Sequence, residues 1–227
     1  MPETLAPRGA AEPRFARETA GFYPIVSAVF VGLLVISNVG ATKLITVGPL
    51  ILDGGAFLFP LVYITGDVLS EVYGFAAARR TIVLGFAMAV LSAITFYVVQ
   101  LSPSAPGWDH QDAFVAILGF VPRIVLASVC GFLVGQLLNS WTLVVIKRRT
   151  DERVLWLRLI GSTVVGEFAD TLLFCTIAFY GVLRGADFAN YVIVGYVYKT
   201  LLEVVLLPVT YRVIAAIKRH EPTYDLA

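Results

Sequence analysis

Apolar residues dominate this chain in long unbroken runs, and polar positions collect between the runs. A bilayer crossing needs roughly 20 mostly apolar residues. Six stretches meet that length: approximately 21–40, 55–74, 79–101, 121–146, 158–181 and 189–215. The pattern predicts an all-α membrane protein with six transmembrane helices. The apolar piece Ala113–Val121 is too short to cross and reads as an interfacial or re-entrant segment. Residues 1–20 are polar and rich in Pro, Ala and Arg, and read as a disordered cytoplasmic tail. The six-helix domain then occupies 21–217, and 218–227 forms a second cytoplasmic tail. The first apolar run, Phe22–Val39, is too long for a signal-peptide core, so it reads as a true span.

Composition agrees with a membrane solvent. The chain is 58% hydrophobic and only 15% charged, where soluble domains carry about a quarter charged residues. The formal net charge is +1, and the basic residues form no patch of the kind that binds nucleic acid. Cys130 and Cys175 both fall inside predicted spans and read as packing residues. Neither a disulfide framework nor a metal-binding Cys pattern is present.

Charge sets the orientation. Arg8, Arg14 and Arg17 precede the first span, and Arg79 and Arg80 follow the second. Lys147, Arg148, Arg149, Arg153 and Arg158 follow the fourth, and Arg212, Lys218 and Arg219 end the sixth. These alternate connections hold 13 of the 17 basic residues, and loops rich in Lys and Arg stay cytoplasmic. Both termini are therefore expected in the cytoplasm. Six spans divide into three plus three, and a repeated half would be inverted. Gly66-Asp67 is echoed by Gly166-Glu167, and Asn38 by Asn139. Inverted repeats with polar residues near the midplane mark transporters, although two matches this short also arise by coincidence.

The polar residues inside the spans carry the chemistry. A charge at the bilayer centre costs roughly 2.5–3.5 kcal/mol on insertion scales, yet Asp67, Glu71, Glu167 and Asp170 all fall within apolar runs. Phe59, Tyr63, Asp67 and Glu71 recur at intervals of four and share one helix face. Thr163, Glu167, Asp170 and Phe174 share another. Lys199 and Glu203, four apart, read as a structural ion pair. Arg123 reads as a snorkelling residue or a site residue, and Gln136 and Asn139 as interhelical glue or site residues. Glu71 is near enough to the cytoplasmic boundary to pair with Arg79 or Arg80. Carboxylates accept N–H donors in pairs, aromatic rings stack on flat solutes, and buried acids can carry protons. These features point to a transporter of a small polar solute, cationic or heteroaromatic.

At these positions the chain resembles a known family. Ser37-Asn38-Val39-Gly40-Ala41-Thr42-Lys43 looks like its first signature. Gly54-Gly55-Ala56-Phe57-Leu58-Phe59-Pro60, continuing through Tyr63 and Asp67-Val68-Leu69-Ser70-Glu71-Val72-Tyr73-Gly74 to Arg79, looks like its second. Gly161-Ser162-Thr163, Gly166-Glu167, Asp170-Thr171 and Phe174 look like its third. This is the YhhQ-like queuosine-precursor transporter family, also called the vitamin uptake transporter family. The resemblance implies a multi-pass inner-membrane importer of 7-cyano-7-deazaguanine and 7-aminomethyl-7-deazaguanine, salvaged for the tRNA nucleoside queuosine. It implies no enzyme activity, cofactor or metal. Combined with the stripes, it nominates Asn38, Lys43, Tyr63, Asp67, Glu71, Glu167, Asp170 and Phe174 as substrate-binding residues. Its partners would be the 7-deazaguanine base and the bilayer, with a homo-oligomer or an energising ATPase left open.

Two other readings compete. An alternative within transport is the substrate-binding subunit of an ATPase-energised vitamin uptake system; the chain has no GxxxxGK[ST] sequence, so ATP energy would come from a partner. An intramembrane hydrolase built on Asp67 and Asp170 is a weaker alternative, because GxSxG and HExxH are absent.

Overall fold

The computed structural model describes residues 15–18, 21–149, 155–222 and 224. Most of the expected N-terminal tail, residues 150–154 of the expected basic loop, and the side chains of Gln136, Asn139, Ser162 and the 147–149 and 158 cations lie outside what it describes. The chain is mostly helical: α1 (Tyr23–Gly40), α2 (Phe59–Leu101), α3 (Gln111–Leu118), α4 (Val121–Arg149), α5 (Leu155–Phe179) and α6 (Gly185–His220). Among the described residues, four helical stretches are long and apolar enough to cross a membrane: Tyr23–Gly40, Phe59–Leu101, Gln111–Gly135 and Gly185–His220. Large apolar side chains such as Ile25, Val83, Ile94 and Val205 lie exposed on the outside, as a lipid solvent favours.

Two features differ from the sequence expectation, the first of them from its all-α character. Leu44–Val47 (β1) and Leu50–Asp53 (β2) form an antiparallel hairpin around Gly48-Pro49. A 3-10 turn, Gly54–Phe57, leads from it into α2. The second feature is the absence of a loop between the second and third expected spans. Helical geometry continues from Phe59 to Leu101, broken only at Gly74. At about 1.5 Å per residue, 43 residues would reach about 65 Å, twice a hydrocarbon core of about 30 Å. The chain instead folds back at Gly74. Positions 66 and 85 are 19 residues apart, yet a Cβ at either would lie within 3.7 Å of the Phe30 ring. Gly74 has φ 85° and ψ 169°, a region that side chains other than glycine's hydrogen do not tolerate.

One buried acid organises this end of the molecule. Glu221, at the C-cap of α6, is 3% exposed. Its Oε2 accepts the backbone N–H of Phe22 at 2.9 Å and the Tyr73 hydroxyl at 2.7 Å. The first bond satisfies an N–H at the start of α1, where the helix dipole also favours a carboxylate. The second holds the residue just before the bend. Around this point Val68, Leu69, Val72, Tyr73, Phe30 and Ile214 pack α1, α2 and α6 together. At the opposite end, Ile124, Phe174, Phe179 and Tyr191 join α4, α5 and α6.

α4 packs closely along α5 because Gly131 and Gly135 face it. A Cβ at Gly131 would lie 2.9 Å from the Asp170 carbonyl, and one at Gly135 would lie 3.0 Å from the Gly166 carbonyl. Glycine pairs four apart permit such backbone approach between membrane helices. Arg123 supports the same pair of helices. Its Nε donates to the Ile177 carbonyl and its Nη2 to the Tyr180 carbonyl, both at 2.6 Å. It therefore caps the last turn of α5, where free carbonyls favour a cation.

Gly74→Ala is expected to lose about 1–3 kcal/mol of stability, the cost of forcing a side chain into this backbone region. Thermal unfolding in detergent measures it, and an unchanged midpoint would contradict the account of the bend.

Candidate functional site

Between the two packed ends lies a cavity of about 240 Å³. It is reached by α1, both arms of α2, α4, α5 and α6. Its polar lining is Tyr63, Asp67, Ser128, Glu167, Asp170 and Lys199, and its aromatic lining includes Phe59, Phe86, Phe132 and Phe174. The volume falls just below the roughly 300–1,000 Å³ of drug-sized sites, a scale that suits a small bicyclic solute. A wider groove between Val90–Tyr97 and Pro122–Val129 is almost wholly apolar and opens outward, so it offers no comparable chemistry.

The helical stripes place the acids. Tyr63 and Asp67 come one turn apart on α2, and Glu167, Asp170 and Phe174 come down one face of α5. The hydroxyl of Tyr63 points at Glu167, 3.4 Å from each carboxylate oxygen. Phe59 and Tyr63 stack with centroids 6.2 Å apart and planes 28° from parallel. On another wall, the Phe86 and Phe132 rings meet at 5.2 Å. Glycine at 131 and 135 brings α4 against Asp170, because a Cβ at Gly131 would meet Asp170 Oδ1 at 2.7 Å.

Lys199 corrects the sequence reading. It does not pair with Glu203 on its own helix. Its Nζ crosses to α5 and donates to Asp170 Oδ2 at 2.7 Å. The ammonium sits 4.9 Å from the Phe59 ring centroid and 5.8 Å from that of Phe174. Both rings offer it cation–π attraction, and Lys199 is 7% exposed. The cavity therefore holds three acids and one ammonium. Glu203 lies one turn further along α6, within electrostatic reach of Asp67 and Glu167.

The other nominated residues lie apart from the cavity wall. Asn38 is buried behind it: its Oδ1 accepts the Ser128 hydroxyl at 2.7 Å and its Nδ2 donates to the Leu34 carbonyl at 2.9 Å. Ser128 and Leu34 line the cavity, so Asn38 orients its wall. Lys43 is exposed at the foot of the hairpin. Glu71 is exposed and accepts from Lys218 Nζ at 2.6 Å, so its partner is α6 rather than Arg79 or Arg80. Sequence reasoning passed over Lys199 as a site residue, although an intramembrane lysine among four acids was signal enough. Phe86 and Phe132 carried no signal, since aromatics are common in any span.

The hairpin packs against α6. Asn190 of α6 imitates a strand: its Oδ1 accepts the Ile51 N–H and its Nδ2 donates to the Pro49 carbonyl, both at 3.0 Å. Asp53 is 6% exposed. Its Oδ1 accepts the Gly55 N–H at 2.9 Å and its Oδ2 accepts the Tyr191 hydroxyl at 2.7 Å. Burial pushes the Asp53 carboxyl above the ordinary carboxylate range, against the opposing pull of Tyr191, Lys199 and Gly55.

Comparison with known proteins adds an independent line. Residues 53–213 match the family model described as "Putative vitamin uptake transporter". The chain is 30% identical over 193 residues to a "Probable queuosine precursor transporter" of Bacillus subtilis (strain 168), covering 84% of each protein. It is 29% identical over 163 residues to the "Queuosine precursor transporter" of Escherichia coli (strain K12), covering 70% of this chain and 71% of that one. A "Probable queuosine precursor transporter" of Haemophilus influenzae is 28% identical over 166 residues, covering 70% of this chain and 67% of that one. No solved structure matches the chain.

Asp53 gives this part of the molecule its test. Asn keeps an acceptor oxygen for the short turn and avoids the cost of a buried charge; Ala orphans both Gly55 and Tyr191. Asp53→Ala should lose about 1–3 kcal/mol and Asp53→Asn clearly less, by thermal unfolding in detergent. A raised carboxyl pKa makes the ionised form the unfavourable one in the fold. Its cost is absent below the ordinary carboxylate range and grows as pH rises through the folded value. The stability difference between Asp53→Asn and the parent should therefore shift in favour of Asn towards neutral pH. Equal losses for Asn and Ala at all pH values would contradict this role.

Proposed function

This chain belongs to the vitamin uptake transporter family, and from that premise we propose that it imports queuosine precursors across a bacterial inner membrane. The substrates are 7-cyano-7-deazaguanine and 7-aminomethyl-7-deazaguanine. The observation that carries the reading is the cavity within the helices, where acids, one ammonium and several aromatic rings converge. A deazaguanine is flat, bears neighbouring N–H donors and carries one carbonyl oxygen. Glu167 accepts the paired N–H donors, as a carboxylate with two oxygens can. Tyr63 and Phe174 supply aromatic faces. Asp67, on the opposite wall and without a cation paired to it among the described residues, receives the aminomethyl group or a coupling proton. Asn38 acts through Ser128.

The membrane arrangement that supports this is six crossings with both termini in the cytoplasm. α2 supplies two of them, one on each side of Gly74. Three crossings in each half permit an inverted repeat, with alternating access around the cavity. The hairpin then lies on the outer side and the Glu221 junction on the inner side. Thr46→Cys in the hairpin should react with an impermeant maleimide added outside intact spheroplasts, and a C-terminal phosphatase fusion should stay inactive. The reverse pattern would overturn the orientation.

The site is tested by precursor-dependent queuosine formation in cells unable to make precursor. Glu167→Gln and Asp67→Asn should each lower it at least about tenfold, the scale of one hydrogen bond to a charged group of about 1.5–3 kcal/mol. Glu71→Gln, which removes an exposed carboxylate paired with a partly exposed Lys218, should stay within about threefold, as for a surface pair of about 0–1 kcal/mol. Normal salvage by well-expressed Glu167→Gln and Asp67→Asn would sink the assignment.

A further inference from the structure

We infer that Lys199 reads the carbonyl oxygen of the transported base and, together with Glu167, selects a guanine-type edge. The inference rests on the reading of the cavity as the base site. An ammonium carries three N–H donors. Lys199 is 7% exposed, and among the described residues it donates to Asp170 Oδ2 alone. Two donors of a buried cation therefore have no acceptor among the described residues, whereas buried polar groups are ordinarily bonded. Lys199 lines the cavity, so the space those donors can address is the space the solute enters. Phe59 and Phe174 flank the ammonium at 4.9 and 5.8 Å and hold it there.

The neighbouring group completes a pattern. Glu167 precedes Asp170 by three residues, so the two lie on one face of α5. Asp170 is occupied by Lys199, and Glu167, within electrostatic reach of the same ammonium, has among the described residues only the long contact from Tyr63. Along this face the protein presents one strong donor and then a pair of acceptors. A guanine-type edge presents the complement: a carbonyl oxygen, a ring N–H and an exocyclic amine. An adenine-type edge would set its amine against the ammonium. A site built to bond a solute group rejects an analogue lacking it far more strongly than an apolar pocket can. Lys43 cannot take this part, because it is exposed at the hairpin.

The test is competition for uptake of labelled 7-aminomethyl-7-deazaguanine into proteoliposomes containing the full-length protein. The competitors are 7-deazaguanine, 2-amino-7-deazapurine, which lacks the oxygen and with it the ring N–H, and 7-deazaadenine. For the parent protein, 2-amino-7-deazapurine should compete at least tenfold more weakly than 7-deazaguanine, and 7-deazaadenine no better. The double variant Lys199→Met, Asp170→Asn removes the donor to the oxygen while preserving the net charge of the cavity, and should lower the ratio of 7-deazaguanine to 2-amino-7-deazapurine severalfold, the discrimination that remains being Glu167's rejection of the unprotonated ring nitrogen. Lys199→Arg, which keeps a donor, should retain most of the discrimination. Equal competition by all three compounds in the parent protein, or an unchanged ratio in an active double variant, would overturn the inference and leave the proposed function standing. If the double variant does not assemble, the parent's competition decides. No uptake of any 7-deazaguanine by the parent would overturn both.

Discussion

The cost of ionised groups in hydrocarbon is the constraint on which this architecture depends. Three acids face one cavity, and a single lysine from α6 answers them. Bringing Lys199 within 2.7 Å of Asp170 requires α5 and α6 to meet at mid-length. Holding Asp170 in place requires α4 to approach α5 through Gly131 and Gly135, since a Cβ at 131 would strike the Asp170 carboxylate and carbonyl and one at 135 the Asp170 Cβ and the Gly166 carbonyl. Removing one partner from such a pair leaves a buried charge uncompensated, which is costlier than the pair is stabilising. The small residues, the lysine and the aromatic flanks thus form one unit, and the cavity is what remains between them.

Two further buried carboxylates sit at opposite ends of the described structure, and each closes a backbone problem. Glu221 receives an orphan N–H at the start of α1 and the hydroxyl beside the α2 bend. Asp53 receives the N–H of a tight turn and the Tyr191 hydroxyl of α6. Both tie α6 to the first half of the chain, once at each end of that helix. α6 also carries Lys199, so the element that supplies the cation is fixed at both ends and faces the cavity between them. Asn190 ties α6 to the hairpin alongside Asp53, and Lys218 ties it to Glu71 of α2 beside the Glu221 junction.

Much of this was legible in the chain. Periodicity placed Tyr63 with Asp67, and Glu167 with Asp170 and Phe174, on shared faces, because helical spacing is local information. The cost of intramembrane charge singled out the acids. What sequence could not supply was partner choice. Lys199 has Glu203 four residues away and Asp170 on another helix, and only tertiary packing decides between them; the i, i+4 rule chose the wrong partner. Glu71 reads in sequence as a partner of Arg79 or Arg80, yet its cation comes from α6. The hairpin escaped notice because its strands are four residues each, too short for alternation to register. The bend at Gly74 looked like a loop because two apolar runs met at a polar cluster, whereas one glycine with positive φ accomplishes the reversal.

The central claim is that the solute's flat, N–H-bearing base lies in the cavity between α2 and α5. The most direct measurement is an experimental structure of the protein with 7-aminomethyl-7-deazaguanine bound. The account predicts the base between Tyr63 and Phe174, its paired N–H donors on Glu167 and its carbonyl oxygen on Lys199. A base bound elsewhere, with Glu167 and Lys199 both outside hydrogen-bonding reach, would contradict it.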